Sequence, residues 1–342
     1  MVMLKKFFGS VNSFFALDIG TTAVRVIELT ETPSGWKYER YGFVPLDPNL
    51  ATDQDTLSKS IEKAINEAGI KSKNVVISLP EKIANIKIAD IKKEPNKKLS
   101  KTIEAQIKRL ESRQGEQNYE YITLGKSEND KTKVLIATAS KAFVDERVEL
   151  LGELGLNVVA AEPEVSALVR SVVIDDEPQL IINVKDFSMD FVISNQKIPY
   201  LNRTTPFGAG LFVGMLQQNL KLDTATAQKY VADYGLNPEI MNGQIVVALN
   251  TAIAQFMSEI FSLIGSFERK YHGQKIKKII LAGYGLVIPH FLETVRNQTG
   301  METISVDLWQ DITISDKLKS ELNAVSPHFA LAIGLAKRKD GD

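Results

Sequence analysis

The sequence predicts an α/β protein made of two related halves, with a small extra module set into the first. Three observations carry this. A strand, a Gly/Thr turn and a second strand open the chain between Phe14 and Leu29. The same pattern returns 165 residues later, between Leu180 and Ser194. Between them lies a β-α-β-β-α run of different character.

The first half begins with Phe14-Phe15-Ala16-Leu17-Asp18-Ile19, turns through Gly20-Thr21-Thr22, and returns along Ala23 to Leu29. Alternating apolar residues on either side of a Gly-containing turn predict a hairpin. Trp36 to Val44 follows the Pro33-Ser34-Gly35 turn as a third strand. Leu57, Ile61, Ala64, Ile65 and Ala68 recur at helical spacing and stop at Gly69, which predicts a helix from Asp55 to Ala68. Val75 to Leu79 is a buried-type strand ended by Pro80.

The module spans 81–156. Ile83 to Ile91 alternates as a strand, Leu99 to Leu110 is helical with a Lys-rich face, and Tyr119 to Leu124 and Lys133 to Ala139 are strands around the polar loop Ser127 to Thr132. Phe143 to Leu154 is a helix closed by Gly155.

Val158 to Ala161 is a strand running into Glu162-Pro163, and Glu164 to Val173 is a helix. The opening pattern then repeats. Leu17-Asp18-Ile19-Gly20 falls on Ile182-Asn183-Val184-Lys185, and Arg25-Val26-Ile27 falls on Asp190-Phe191-Val192. A third strand, Ile198 to Thr204, completes the match, so this is a repeat of shape. Helices follow at Gly210 to Leu220, Asp223 to Tyr234 and Gln244 to Tyr271. Lys278 to Leu281 is a buried strand entering Ala282-Gly283-Tyr284-Gly285, Ile288 to Gln298 is helical, and Phe329 to Lys337 is an apolar closing helix. Two similar halves imply a cleft between them, a preferred place for ligands.

Composition narrows the chemistry. At 342 residues, 44% hydrophobic and 24% charged, the chain is long enough for two cores and too apolar for disorder. A net charge of −1 offers no field for nucleic acid. The run Lys92, Lys93, Lys97, Lys98, Lys101, Lys108 and Arg109 is interleaved with acids and reads as a solvated helix face. There is no cysteine, which excludes disulfides and thiolates and fits a cytoplasmic address. His272, His290 and His328 lack ligand spacing, and no G-x-S-x-G elbow is present. The stretch Met1 to Gly9 is broken by polar residues before it reaches the length of a secretory signal, so Phe7 and Phe8 are expected to pack on the protein. Val246 to Phe267 contains Asn250, Thr251, Gln255, Ser258 and Glu259 and is expected to be a core helix, not a span.

The chemistry-bearing motif is Asp18-Ile19-Gly20-Thr21-Thr22. A glycine permits close approach of phosphate, turn amides and hydroxyls donate to its oxygens, and a strand-end carboxylate reaches a hydrated Mg²⁺. A hairpin with Asp18 capping local amides has the same sequence.

This motif, the inserted module, Glu162-Pro163 with Ala167, and the second hairpin together resemble the actin-like ATPase superfamily. The short start, the β-α-β-β-α insert and the ending Phe329 to Ala336 resemble the PilM family of type IV pilus assembly and, more distantly, the division protein FtsA. FtsA usually ends in an amphipathic membrane-binding helix. The segment Lys337 to Asp342 has no apolar face, which favours the first family. The resemblance implies an actin-like (duplicated ribonuclease-H-like) two-domain fold. Residues 1–80 with 157–178 form the first core, 81–156 the insert, and 179–342 the second half, with a helical lobe at 216–277.

The resemblance also implies a nucleotide site. Asp18, Gly20, Thr21 and Thr22 match the first phosphate motif, and Asp18 would serve Mg²⁺ if ATP binds. Glu162 occupies the place of the polar residue that orients attacking water, or is a surface Glu before a Pro turn. Glu259 lies near the nucleoside in relatives, or is a solvated helix position. Lys185, Gly208, Gly210, Gly283 and Gly285 complete the candidate set. Several positions depart from the pattern. The second Asp-x-Gly reads Asn183-Val184-Lys185, the ribose and adenine contacts read Gln228 and Val231, and Tyr284 stands where a base needs space. The implied function is a cytoplasmic adaptor that binds the cytoplasmic N-terminal peptide of a PilN-like bitopic membrane protein, with weak or no ATP binding. Ile83, Ile86, Ile88 and Ile91 offer an insert wall for that peptide. The alternatives are an ATPase or small-molecule kinase turning over Mg-ATP, and an FtsA-type filament former.

Overall fold

The computed structural model describes residues 13–92, 96–127 and 131–339. The expectations for Phe7, Phe8 and Lys93 and for the loop tip 128–130 lie outside the described residues. The chain divides into two compact units, Met1–Ser171 with Asp311–Ile314 and Leu331–Asp342, and Val172–Gln310 with Ser315–Ala330.

In the first unit, β1 (Phe15–Ile19), β2 (Ala23–Thr32) and β3 (Gly35–Pro45) form an antiparallel meander. Helix α1 (Gln54–Ala68) starts where the Asp53 carboxylate accepts the Thr56 N–H at 2.8 Å. It ends at Gly69, whose φ of 66° only glycine adopts without strain, and β4 (Asn74–Leu79) then pairs parallel to β1. The insert supplies β5 (Ala84–Lys92), α2 (Asn96–Gln114), β6 (Gln117–Ser127) and β7 (Lys131–Ser140) as a separate sheet of order β5-β7-β6. Leu99, Ile103 and Ile107 of α2 pack on Ile91, Val134 and Ile136. Helix α3 (Lys141–Glu153), β8 (Asn157–Pro163) and α4 (Glu164–Val172) return to the first core. Leu150 and Leu151 of α3 join Leu57, Ile61 and Ala64 of α1 beneath the main sheet. The second helix of the module therefore serves the neighbouring core.

The second unit holds β9 (Gln179–Val184), β10 (Met189–Asn195), β11 (Ile198–Thr205), α5 (Ala209–Leu220), α6 (Thr224–Asp233), α7 (Gln244–Lys270), β12 (Lys278–Gly283), α8 (Phe291–Thr299) and β13 (Glu302–Ser305). Its sheet order, β11-β10-β9-β12-β13, repeats β3-β2-β1-β4-β8 of the first unit, where β14 (Ile312–Thr313) adds outside β3. The two hairpins lie in different sheets. The repeat extends to a detail of register: the irregularity between Glu28 and Leu29 of β2 recurs between Ile193 and Ser194 of β10, at the same 165-residue offset. Phe191, Phe256, Phe291 and Phe212 form a chain of ring contacts through this core, with centroids 5.0 to 6.0 Å apart. Helix α7 with the short turn before it (Ile240–Lys270) is long and apolar enough to cross a membrane, yet it packs on β10, β11 and α5 through Ile245, Leu249, Phe256, Ile260 and Phe267.

Two boundaries differ from the sequence reading. The last helix, α9, runs Asp316–Ala336 with Pro327 inside it, starting well before Phe329. The second half also does not keep its own C-terminal part: β14 pairs with β3, and the end of α9 crosses α4 so closely that a Cβ on Gly334 would overlap the Ala167 carbonyl. A two-residue strand and a helix–helix contact leave no local pattern.

Candidate functional site

Each hairpin carries one cluster of buried charge. In the first, Asp18, the next-to-last residue of β1, is 2% exposed. Ser78 Oγ on β4 donates to Oδ1 at 3.0 Å, and Arg25 Nη1 on β2 donates to Oδ2 at 3.2 Å. Asp18 and Arg25 are direct cross-strand partners. The guanidinium lies over the Phe43 ring, 5.7 Å from its centroid, and also reaches the Ala23 carbonyl at 3.4 Å. It fills the space beside Gly20, where an added Cβ would stand 2.7 Å from Nη1. The turn closes by Gly20 N–H donating to Ala23 O at 3.0 Å, and Leu46 N–H holds the Thr22 carbonyl at 2.8 Å. Thr21 is exposed and Thr22 half-buried. Both Asp18 oxygens are thus engaged, one of them by a fixed positive charge.

The second hairpin holds the same cross-strand pair, but the carboxylate stands on the other strand and a neutral amide faces it. Asn183 stands for Asp18 and Asp190 for Arg25, at the shared offset and in the same register. Asp190, 4% exposed, accepts from Asn183 Nδ2 at 3.0 Å and Thr204 Oγ1 at 2.8 Å, and pairs with Lys185 Nζ at 3.0 Å. Lys185 is tied to this buried carboxylate. Gly208 and Gly210 flank the start of α5. The first amides of that helix donate inward, Ala209 N–H to Lys185 O and Gly210 N–H to Asp186 O, both at 2.8 Å. A Cβ on Gly208 would overlap the Lys185 carbonyl. These glycines let α5 abut the hairpin turn, and the amides a phosphate would use are occupied by carbonyls.

The remaining candidates of this unit serve packing. Gly283 has φ +63° and lies against Val184 and Asn183, so a side chain there is barred by both conformation and space. Gly285 is buried against Leu281 and Phe291. Tyr284 meets the His328 ring edge-on at 5.2 Å. Gln228 is exposed and Val231 buried. Glu259 is held to β11, accepting from Arg203 Nη1 at 2.7 Å.

Glu162 needs a correction. It is neither a surface residue nor a carboxylate open to water: it is fully buried, and Arg170 of α4 holds both oxygens, at 2.7 and 2.8 Å. Arg170 also donates to the Gly334 carbonyl, so the pair ties β8, α4 and α9 together. The insert wall also needs one. Ile86 and Ile88 share a face of β5, but Ile91 points to the opposite face, under α2.

Sequence reasoning passed over Arg25, Asp190 and Arg170. The first two were visible as the partners of positions 18 and 183 in the repeat. Arg170 stood out only as a charge within an apolar helix.

A family profile described as "Type IV pilus assembly protein PilM" matches residues 16–340. Among solved structures, a chain of the "PilM-PilN type IV pilus biogenesis complex" superposes with a TM-score of 0.80 at 19% identity, over 96% of this chain and 98% of that one. The ethanolamine utilization protein EutJ from Carboxydothermus hydrogenoformans gives 0.55 at 10% identity, over 98% and 93%. MreB 5 of Spiroplasma citri bound to AMPPNP gives 0.55 at 11%, over 95% of each chain. At these identities the likeness is one of fold, and that fold is actin-like with two domains.

Proposed function

This chain belongs to the PilM family of type IV pilus assembly proteins, and on that premise we propose that it is a cytoplasmic adaptor that binds the cytoplasmic N-terminal peptide of a PilN-like bitopic membrane protein. The observation that carries this is the whole-length fold match to the chain of the PilM-PilN complex. The proposed groove lies between the insert sheet and the first core; Ile86 and Ile88 of β5 are themselves buried and serve packing. A preformed groove lowers the ordering cost for an extended peptide, and tethering at the inner face of the membrane raises its effective concentration.

The nucleotide site we propose to be degenerate. Mg-ATP needs a carboxylate free for the hydrated cation and amides free for phosphate. Asp18 is already neutralised by Arg25, Asn183 carries no charge, Lys185 is paired with Asp190, and the α5 amides are bonded to carbonyls. The residues present do not fit a magnesium-dependent ATPase or kinase. One feature favours a second reading, metal-free anion binding at the first hairpin: among the described residues the buried Nε of Arg25 has no hydrogen-bond partner.

The test is calorimetry of the full chain with a synthetic PilN N-terminal peptide, paired with thermal shift in ATP, with and without Mg²⁺. Peptide binding with no Mg-ATP-dependent rise is expected. A ligand at about 100 times its Kd would add roughly 2.7 kcal/mol, so a real site would be evident. Absence of peptide binding sinks the adaptor reading, and a Mg²⁺-dependent shift abolished by Asp18→Ala restores the ATP-binding one. A shift with ATP alone, lost in Arg25→Ala, selects the second reading.

A further inference from the structure

The insert carries a charge imbalance that the near-zero net charge of the chain hides. Its sheet leaves the first core at the paired residues Ala84 and Ala139, which belong to that core. The far end of β5 lies about 26 Å further on, and there Lys92 stands directly opposite Lys131 of β7. Both side chains are exposed. Strand β6 ends beside them, with Lys126 opposite Thr132. Helix α2 starts shortly after Lys92, and Lys97, Lys98 and Lys101 lie in its first two turns. The lysines of this run therefore do not form a single helix face. Topology gathers them from three strands and a helix at one end of the module.

Two of these placements cost stability. Like charges on direct cross-strand partners repel. Lysines at the start of a helix oppose its dipole, and the first turn of α2 holds no acid to offset them. The two segments that meet here, 90–101 and 126–133, contain eight lysines, four acids and no arginine. One of the acids, Asp90, is the cross-strand partner of Lys133. The segments thus carry a net charge of +4 in a chain of net −1, which leaves −5 on the rest. Charge is sorted here against local stability, as happens where a surface is kept for a partner.

We propose that the far end of the insert rests on the anionic headgroups of a membrane, by electrostatic adsorption without insertion. The proposal rests on the adaptor reading, since a chain held by the cytoplasmic peptide of a membrane protein has that surface within reach. Composition agrees. Lysine is a compact point charge that suits a fluid array of headgroups. Nucleic acid and fixed phosphate groups are recognised through arginine forks and stacked aromatics, and neither segment contains an arginine or an aromatic residue. Each lysine near such a surface strengthens binding about fivefold. The peptide tethers the chain, and the lysines set which end faces the bilayer.

Co-sedimentation of the full chain with phosphatidylcholine vesicles, with and without phosphatidylglycerol, tests this. Binding is expected only with phosphatidylglycerol, and it should be lost as the screening length falls from about 30 Å in dilute salt to about 3 Å at 1 M. Lys92→Gln with Lys131→Gln should weaken it about 25-fold without lowering the melting temperature, because the pair of substitutions relieves a repulsion. Lys101→Gln should weaken it about fivefold from a different element. Lys59→Gln with Lys63→Gln, the same charge change at exposed positions of α1, should leave it unchanged. No binding to phosphatidylglycerol, equal binding to phosphatidylcholine alone, or an equal loss in the α1 variant overturns the proposal. So does tighter binding of duplex DNA or polyglutamate at matched charge concentration, lost with Lys92→Gln and Lys131→Gln. Peptide binding is measured separately: a chain that binds the PilN peptide but no vesicles refutes this proposal alone, and one that binds vesicles but no peptide refutes the adaptor reading alone.

Discussion

Arg170→Met isolates what the Glu162–Arg170 pair does. The substitution keeps an unbranched apolar stem but removes the guanidinium that holds a carboxylate with no exposed surface. A sealed, unpaired carboxylate has two options: remain ionised at a cost of several kcal/mol, or take up a proton. Protonating an ordinary glutamate at pH 7 costs about 4 kcal/mol, which caps the electrostatic loss, and at pH 5 the same step costs about 1 kcal/mol. Lost bonds to the Gly334 carbonyl add about 1 kcal/mol. The variant should therefore be about 3–5 kcal/mol less stable than the parent at pH 7, and most of that deficit should vanish by pH 5. The sign follows from proton binding. In the variant the native state holds a proton that the unfolded chain releases above pH 5, so stability falls as pH rises. Glu162→Gln with Arg170→Met should recover most of the loss at pH 7, because it removes the buried charge itself. Urea denaturation at both pH values measures all of this. An Arg170→Met chain as stable as its parent, or a deficit equal at pH 5 and pH 7, would refute a buried structural pair and return Glu162 to the set of reactive carboxylates.

Gly334→Ala should cost at least about 3 kcal/mol, since the new methyl group overlaps the Ala167 carbonyl and two helix backbones must part; denaturation with an unchanged m value would show it. Burial outweighs the neighbouring Arg40 and raises the Glu28 carboxyl above its ordinary value. Its ionisation thus opposes folding above that raised value and not below the unfolded one. Glu28→Gln should gain stability at pH 7, by less than about 1 kcal/mol, and lose the advantage below pH 4, as a melting series against pH would record.

Much of the architecture was legible because it is periodic. The hairpin from Phe15 to Thr32, the helices ending at Gly69 and Gly155, the insert strands and the second hairpin all follow from alternation, helical spacing and turn residues, which are local properties of the chain. The repeat was legible for the same reason: two stretches with one pattern fold to one sheet order. Even the move of the carboxylate from Asp18 to the place opposite it, Asp190, is written in that offset. The sequence, then, determined the elements, the duplication and the departures at 183 and 185. Tertiary structure alone decided how the charges are used. Whether Asp18 is open to a cation depends on a cross-strand arginine and on Ser78, sixty residues away. Whether Glu162 meets water depends on α4 folding Arg170 back over β8. The return of β14 and α9 to the first unit likewise rests on contacts across the length of the chain. A carboxylate's chemistry is set by what surrounds it in space, and those neighbours come from strands and helices that no local pattern places side by side.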